Sequence, residues 1–138
     1  MKYVVIILVS FLTEHSRAQD LISVANTLLN DKNYLEAKAA IDEAFEATSI
    51  EENPRAWYTK ARIYHEILKS NEPQLTSLKK DEKGFVKDVI EAYNQTKELT
   101  EPSNNLHILA NNQIEILWAD YLNAGITKFQ TSKFLEAS

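Results

Sequence analysis

The sequence predicts an all-α fold, and three observations support this class. The 138-residue chain contains only 2 glycines and 3 prolines, too few for the many turns of an all-β domain. The pair Asn53-Pro54 is typical of a helix start, because asparagine caps the first N–H groups and proline suits the first helical position. An apolar pattern with helical spacing also recurs 36 residues apart, in the pairs Leu21 and Trp57, Ala25 and Ala61, and Leu28 and Tyr64.

The N-terminal segment predicts export from the cytoplasm. Lys2 precedes an apolar run at residues 3–12, which is too short to span a bilayer but fits a secretory signal. Ser16 and Ala18 then place small residues where signal peptidase cleaves, so we expect a signal peptide at 1–18 and a mature domain at 19–138. Such a protein would lie in the periplasm or cell envelope, with no membrane insertion after cleavage. The alternative is that the run forms a first buried helix or strand of the fold.

Residues 20–53 are predicted to form a first helical hairpin. Its first helix is expected to end in the polar turn at residues 30–33, and a second helix follows until the acidic break at residues 51–52. Two antiparallel helices joined by about four residues form such a hairpin. The apolar stripes are Leu21, Val24, Ala25 and Leu28 in the first helix, and Tyr34, Ala37, Ile41, Ala44 and Phe45 in the second.

Residues 54–102 are predicted to form a second hairpin that contains an insertion. Its first helix runs to about Lys69 and its partner begins at about Glu82, which leaves residues 70–81 as the insertion. A loop of this length is either functional or a tolerated excursion, and the charge run at residues 79–83 favours the excursion. The apolar stripes are Trp57, Ala61, Tyr64 and Leu68 in the first helix, and Phe85, Val89, Ile90 and Tyr93 in the second.

Residues 103–138 are predicted to form an incomplete third hairpin. Ser103 is the expected cap of a long helix, Gly125 occupies its small packing position, and Phe134 is expected to begin the next helix. Because the chain stops soon after Phe134, we expect a fragment of a longer protein or a second chain that covers this end. The stripe of the long helix is Leu106, Leu109, Ala110, Gln113, Ile114, Leu117, Trp118 and Tyr121.

The two hairpin patterns resemble the tetratricopeptide repeat. The resemblance rests on Trp57-Tyr58, Ala61 and Tyr64 in one helix, and on Tyr34, Ala37, Ile41 and Ala44 in the other. It covers residues 20–138 in three partial copies. It implies antiparallel helix-turn-helix repeats that stack as a right-handed α-solenoid. It also implies binding of a protein or peptide in a concave groove, without catalysis.

The groove of such a solenoid is lined by residues beside the packing stripe. On the second hairpin these are Arg55, Tyr58, Arg62 and His65, and on the first hairpin Asn26 holds the corresponding position. This face carries two cations, an aromatic ring and an imidazole. Because such groups form charge-assisted hydrogen bonds with carboxylates, we expect an acidic or carboxylate-bearing peptide as partner.

Two other interpretations of these residues remain open. In the first, the face is an ordinary exposed surface on which Arg62 pairs with Glu66 or Tyr58. In the second, Asn26 belongs to the carboxylate clamp of one chaperone-binding branch of the family. That branch has a lysine one turn earlier, where this chain has Ile22, so the clamp is disfavoured.

Composition and motifs predict no catalytic, metal or cofactor site. The absence of cysteine excludes disulfides, thiolate zinc sites and a cysteine nucleophile. The three histidines, His15, His65 and His107, have no second histidine one turn away, and the sequence lacks a Gly-rich phosphate loop and a Gly-x-Ser-x-Gly elbow. A net charge of −5 argues against nucleic acid as a partner. The two tryptophans, Trp57 and Trp118, lie in apolar stripes, which favours the core over a ligand site.

These features together predict a non-enzymatic interaction module or scaffold of the cell envelope. An alternative is the N-terminal sensory part of a larger envelope signalling protein, whose C-terminal part would hold a membrane helix and an output domain. A glycan-binding surface lipoprotein is a third interpretation, and the missing cysteine weakens it. The sequence identifies neither the partner nor the oligomeric state.

Overall fold

The computed structural model describes residues 2–47, 50–79 and 81–136, and it confirms the all-α class. Within these residues there are six α-helices and no strand, and a short 3₁₀ helix precedes the fifth α-helix. No helix in this part of the chain is both long enough and apolar enough to cross a membrane. The α-helices are α1 (Lys2–Asn30), α2 (Tyr34–Ala44), α3 (Pro54–Lys69), α4 (Pro73–Thr76), α5 (Glu82–Glu98) and α6 (Asn105–Glu136), and the 3₁₀ helix is Ser77–Lys79.

Helix α1 joins the predicted signal segment and the first predicted repeat helix in one continuous helix. The predicted stripe is rotated on it: Ala25 is fully buried as expected, but Val24 is 48% exposed. Ile22, which the sequence placed beside the stripe, is buried instead. Among residues 16–30 of α1, the buried ones are Ala18, Ile22, Ala25 and Leu29, which follow one another at helical spacing.

The end of α1 is a Schellman turn formed without glycine. Lys32 adopts the left-handed conformation, with φ 62°. The N–H of Asn33 donates to the carbonyl oxygen of Leu28 at 2.8 Å, and the N–H of Lys32 donates to that of Leu29 at 3.1 Å. The predicted polar turn therefore forms, but Lys32 occupies the left-handed position at which glycine is favoured.

Helix α3 begins as predicted and lies at the centre of the fold. The side chain of Asn53 accepts hydrogen bonds from the N–H groups of Arg55 at 3.0 Å and Ala56 at 3.3 Å, and Pro54 is the first helical residue. The helix packs against α1, α2, α5 and α6. It is therefore buried on more than the single predicted stripe: its buried residues are Ala56, Thr59, Ala61, Ile63, Tyr64, His65 and Ile67.

The described part of the segment between α3 and α5 is helical and packs on the fold. It contains α4 and the 3₁₀ helix, and Leu75 of α4 is 2% exposed. The ammonium group of Lys79 donates to the carbonyl oxygens of Leu68, at 3.0 Å, and of Ser70. These two contacts tie the segment to the C-terminal end of α3 and satisfy carbonyl groups that the helix leaves open.

Helix α5 packs along α3 through the predicted residues. Phe85, Val89 and Tyr93 are buried, and Thr96 is buried as well. The hydroxyl of Thr96 donates to the carbonyl oxygen of Ala92 at 2.9 Å, so the buried oxygen has a partner within its own helix. A threonine at this position is therefore compatible with close packing.

Helix α6 departs most from the sequence-based expectations. Its N-terminal N–H groups are capped by Asn104, whose side chain accepts from the N–H of Leu106 at 2.8 Å, and not by Ser103. The helix runs without a break to Glu136, so the helix expected to begin at Phe134 does not form. A β-carbon on Gly125 would meet nothing within 4 Å, so this glycine is not a packing position.

The apolar residues of α6 are buried only in its first half. Among the described side chains of α6, only Ala110 and Leu117 are buried, and Ile114 packs partly against the core. Trp118 is 61% exposed, so the prediction that it lies in the core is wrong. The physical reason is that Trp118 lies on a face of α6 that no other described helix covers.

Candidate functional site

Of the five predicted groove residues, only His65 borders one of the two cavities described below. Asn26 is half-buried, and its amide nitrogen donates to the hydroxyl oxygen of Thr59 at 3.0 Å and to the carbonyl oxygen of Ile22 at 3.1 Å. It therefore links α1 to α3. Arg55 lies at the exposed start of α3.

Tyr58 and His65 converge on Tyr93 of α5. The ring of Tyr58 lies 6.1 Å from that of Tyr93, and the ring of His65 lies 6.0 Å from it in an edge-on arrangement. His65 is only 3% exposed, whereas the sequence placed it on an open face. Tyr93 is fully buried, so Tyr58 and His65 both contact a residue of the core.

Arg62, which lies between Tyr58 and His65 along α3, is half-buried. It pairs with neither Glu66 nor Tyr58. Glu66 accepts instead from the ammonium of Lys69, at 3.0 Å. Within residues 2–47, 50–79 and 81–136, no hydrogen bond or ion pair involves the guanidinium of Arg62.

His65 carries a buried nitrogen without a partner. Its Nδ1 lies 3.1 Å from the hydroxyl oxygen of Tyr93. Its Nε2 is buried, and no hydrogen-bond partner for it is found in the described part of the chain. Nearly all buried polar atoms of native proteins have partners, so this nitrogen marks His65 as unusual.

The contact with Tyr93 selects the tautomer of His65. If the tyrosine hydroxyl donates to Nδ1, the imidazole proton lies on Nε2 and a single buried donor remains open. The opposite tautomer would leave both the tyrosine proton and the Nε2 lone pair open, at greater cost. We therefore assign an N–H donor to Nε2.

The imidazole of His65 is neutral at pH 7. Burial lowers the pKa of His65 below its ordinary value of 6.5, and the neighbouring Lys69 ammonium lowers it further. Burial also raises the pKa of the Tyr93 hydroxyl, which therefore keeps its proton. His65 of α3 and Tyr93 of α5 therefore form an uncharged hydrogen-bonded pair.

His65 lines a surface cleft between α3 and α6, which we call the α3–α6 cleft. The cleft has a volume of about 210 Å³ and also borders the first turn of α5. Its lining is half apolar and half polar, with four residues of each kind. The apolar residues are Leu68, Leu117, Tyr121 and Ala124, and the polar ones are His65, Lys69, Glu82 and Asp120.

A tyrosine closes one side of the α3–α6 cleft. The hydroxyl of Tyr121 on α6 donates to the carboxylate of Glu82 on α5 at 3.0 Å. Partial burial and this hydrogen bond raise the pKa of Tyr121 to about 12, so the hydroxyl remains a donor at neutral pH. The contact fixes α6 against the start of α5 and orients one carboxylate at the edge of the cleft.

The α3–α6 cleft combines a few polar groups with apolar walls. Among the described side chains, no three from His, Asp and Glu lie close enough together to hold a metal ion. None of the eight lining residues is a serine, threonine or cysteine that the neutral imidazole could activate. One buried donor, two carboxylates and apolar walls suit recognition of a peptide.

A second cavity, of about 180 Å³, lies between α3 and α5 and is lined by residues that include Asp88 and Glu91. The ammonium of Lys60 lies 4.5 Å from the ring centre of Phe45 and 5.4 Å from that of Trp57. These distances are those of cation–π contacts. Because the chain's own lysine already occupies the aromatic face, we do not assign a ligand to this cavity.

The α6 side of the cleft was missed at the level of sequence. Leu117 and Tyr121 were assigned to a core stripe, and Asp120 was not singled out. The signal that could have found them is their spacing with Ala124, since positions 117, 120, 121 and 124 lie on one face of a helix. Only the packing of α6 on α3 and α5 brings that face to His65.

Comparison with known proteins identifies no relative. The chain matches no protein-family model, no curated protein and no solved structure. Its function is therefore inferred from the side chains of the α3–α6 cleft and from the order in which the helices pack.

Proposed function

We propose that this protein is a non-enzymatic interaction module that binds a protein or peptide segment in the α3–α6 cleft. The sequence pattern at the N-terminus supports a place in the periplasm or cell envelope. The resemblance to tetratricopeptide repeats supports the same mode of action.

The order of helix packing supports a repeat architecture. Helix α1 packs on α2, α2 on α3, α3 on α5 and α5 on α6, and α3 also contacts α1 and α6. Stacked hairpins produce this pattern when α1, α3 and α6 are the first helices of successive repeats and α2 and α5 are the second helices. The α3–α6 cleft would then lie between the first helices of two adjacent repeats, on the side that forms the groove.

The observation that carries the proposal is the unpartnered Nε2 of His65. A buried donor without a partner costs about 1–3 kcal/mol, and a ligand that accepts its hydrogen bond recovers part of this free energy. The apolar side chains of Leu68, Leu117 and Tyr121 border the same cleft and offer contact area to an incoming side chain.

A pull-down with matched variants tests the proposal. The full chain is used as bait in an extract, and captured proteins are identified by mass spectrometry. Ala124→Trp fills the cleft from an exposed position of α6, whereas Ala119→Trp adds the same side chain to an exposed position of α6 outside the cleft. An Arg62→Glu variant tests the neighbouring predicted groove residue.

The proposal predicts a partner that the wild type and Ala119→Trp retain and Ala124→Trp loses. Recovery of no specific partner would contradict it. So would a partner that Ala124→Trp captures as well as the wild type, because the cleft would then have no part in binding.

A further inference from the structure

The charges around the α3–α6 cleft are unbalanced in favour of carboxylates. Lys69, the one cation of the lining, already pairs with Glu66 at 3.0 Å. Glu82 and Asp120 both line the cleft and are exposed, and neither forms an ion pair within the described residues. The cleft therefore attracts a positively charged group.

The geometry suits a long cationic side chain. The hydroxyl of Tyr121 donates to one oxygen of Glu82, which holds this carboxylate at the edge of the cleft. Asp120 precedes Tyr121 on the same helix and lines the same space. Leu68 and Leu117 supply apolar surface along which the methylene groups of lysine or arginine can lie, with the charged end at the carboxylates.

His65 supplies a contact of the opposite kind. The hydroxyl of Tyr93 occupies Nδ1, so the open Nε2–H can only donate, and a lysine or arginine head group cannot accept from it. A main-chain carbonyl oxygen can, once the side chains around His65 move enough to uncover Nε2, which is buried in the free chain. A peptide provides both groups in close proximity, since each residue carries a carbonyl beside its side chain.

We propose that the α3–α6 cleft binds a basic peptide segment, with a lysine or arginine side chain between Glu82 and Asp120 and a main-chain carbonyl oxygen on Nε2 of His65. This inference rests on the proposed function and names its ligand class. It differs from the acidic partner that the residues of α3 predicted, because the sequence of α3 alone does not include the two carboxylates that α5 and α6 bring to His65.

The test measures the affinity of the full chain for three labelled peptides by fluorescence anisotropy. The peptides share one length and one sequence, except that the central residue is lysine, glutamine or glutamate. We expect the lysine peptide to bind about tenfold more tightly than the glutamine peptide, because a charge-assisted hydrogen bond replaces a neutral one. The glutamate peptide should bind most weakly, and added salt should reduce the difference.

Three variants locate the effect within the protein. Asp120→Asn and Glu82→Gln remove one charge each and keep the shape of the side chain, and both should bring the lysine peptide close to the affinity of the glutamine peptide. Glu115→Gln is the matched control, since Glu115 is an exposed carboxylate of the same α6 helix outside the cleft. It should leave all three affinities unchanged.

The outcomes separate this inference from the proposed function. If all three peptides bind equally, or the glutamate peptide binds best, and Ala124→Trp abolishes that binding, the cleft binds peptides and the basic ligand class is wrong. An unchanged preference for lysine in Asp120→Asn and Glu82→Gln also overturns the ligand class. If no peptide binds, both proposals fail.

Discussion

Burial of His65 makes the stability of the protein depend on pH. Burial and the Lys69 ammonium lower the folded-state pKa of His65 below 6.5, while Glu66 and Asp120 act in the opposite direction. Below about pH 6.5 the unfolded chain therefore binds more protons than the folded chain, and the contribution of His65 to stability falls as the pH decreases toward the folded-state pKa.

The His65→Gln variant checks this dependence. We expect its free energy of unfolding to vary less with pH than that of the wild type between about pH 6.5 and the folded-state pKa, because the titrating group has been removed. Urea unfolding monitored by circular dichroism across this window measures both slopes. Equal slopes would show that His65 titrates alike in the folded and unfolded chains.

The left-handed turn at Lys32 stores strain that glycine would relieve. Lys32 has φ 62° at the end of α1, and a β-carbon in this conformation costs about 1 kcal/mol. Lys32→Gly should therefore raise the free energy of unfolding by about 1 kcal/mol. Lys32→Ala is the control, since it removes the charge but keeps the β-carbon, and it should give no such gain in urea unfolding.

The two tryptophans should respond very differently to truncation. Trp57 packs edge-on against Phe45 with ring centres 4.6 Å apart, and its ring N–H donates to the carbonyl oxygen of Glu51 at 2.9 Å. Trp57→Ala should cost about 3 kcal/mol, the lower end of the range for a large buried ring, because Trp57 is half-buried.

Trp118→Ala, on the exposed side of α6, should change stability by no more than about 0.5 kcal/mol. Chemical denaturation of both variants measures the two values. A cost at Trp118 as large as at Trp57 would mean that the second half of α6 is packed.

At the scale of the elements, α6 is a helix with two unlike halves. Its first half packs on α5 and α3 through Ala110 and Leu117, and every described side chain from Trp118 to Lys128 is exposed. Beyond the contact of Tyr121 with Glu82, the local stability of the second half depends on helix propensity more than on tertiary packing.

Gly125→Ala tests this description of α6. Alanine is favoured over glycine in a helix by about 1 kcal/mol, and a β-carbon at this position meets nothing within 4 Å. We expect amide hydrogen exchange around residue 125 to slow by about fivefold. Ala119→Gly is the reverse control and should speed exchange in the same half. If Gly125→Ala left exchange unchanged, the second half of α6 would not be a helix limited by its own propensity.

At the scale of the whole molecule, the sequence predicts the helical class and most of the packing within hairpins. The start of α3 at Asn53-Pro54 and the buried positions Ala25 and Ala61 follow from local capping and from the helical period, which both act within a few residues. The repeat architecture itself stays a prediction.

Long-range packing explains what the sequence could not predict. Periodicity identifies an apolar stripe but not the neighbour that covers it, so Trp118 and Gly125 were placed against a helix that the described chain does not provide. The burial of His65 depends on Tyr93, which lies 28 residues away. The carboxylates Glu82 and Asp120 meet at the cleft only through the packing of α5 and α6.

A ¹H–¹⁵N NMR titration of the full chain with the lysine peptide measures whether the α3–α6 cleft is a ligand site. We expect chemical-shift changes to concentrate on residues 65–69, on Glu82 and on residues 117–124, and the ring Nε2–H signal of His65 to shift as it gains an acceptor. Changes confined to other surfaces, or the absence of any change, would show that the peptide does not bind in the α3–α6 cleft.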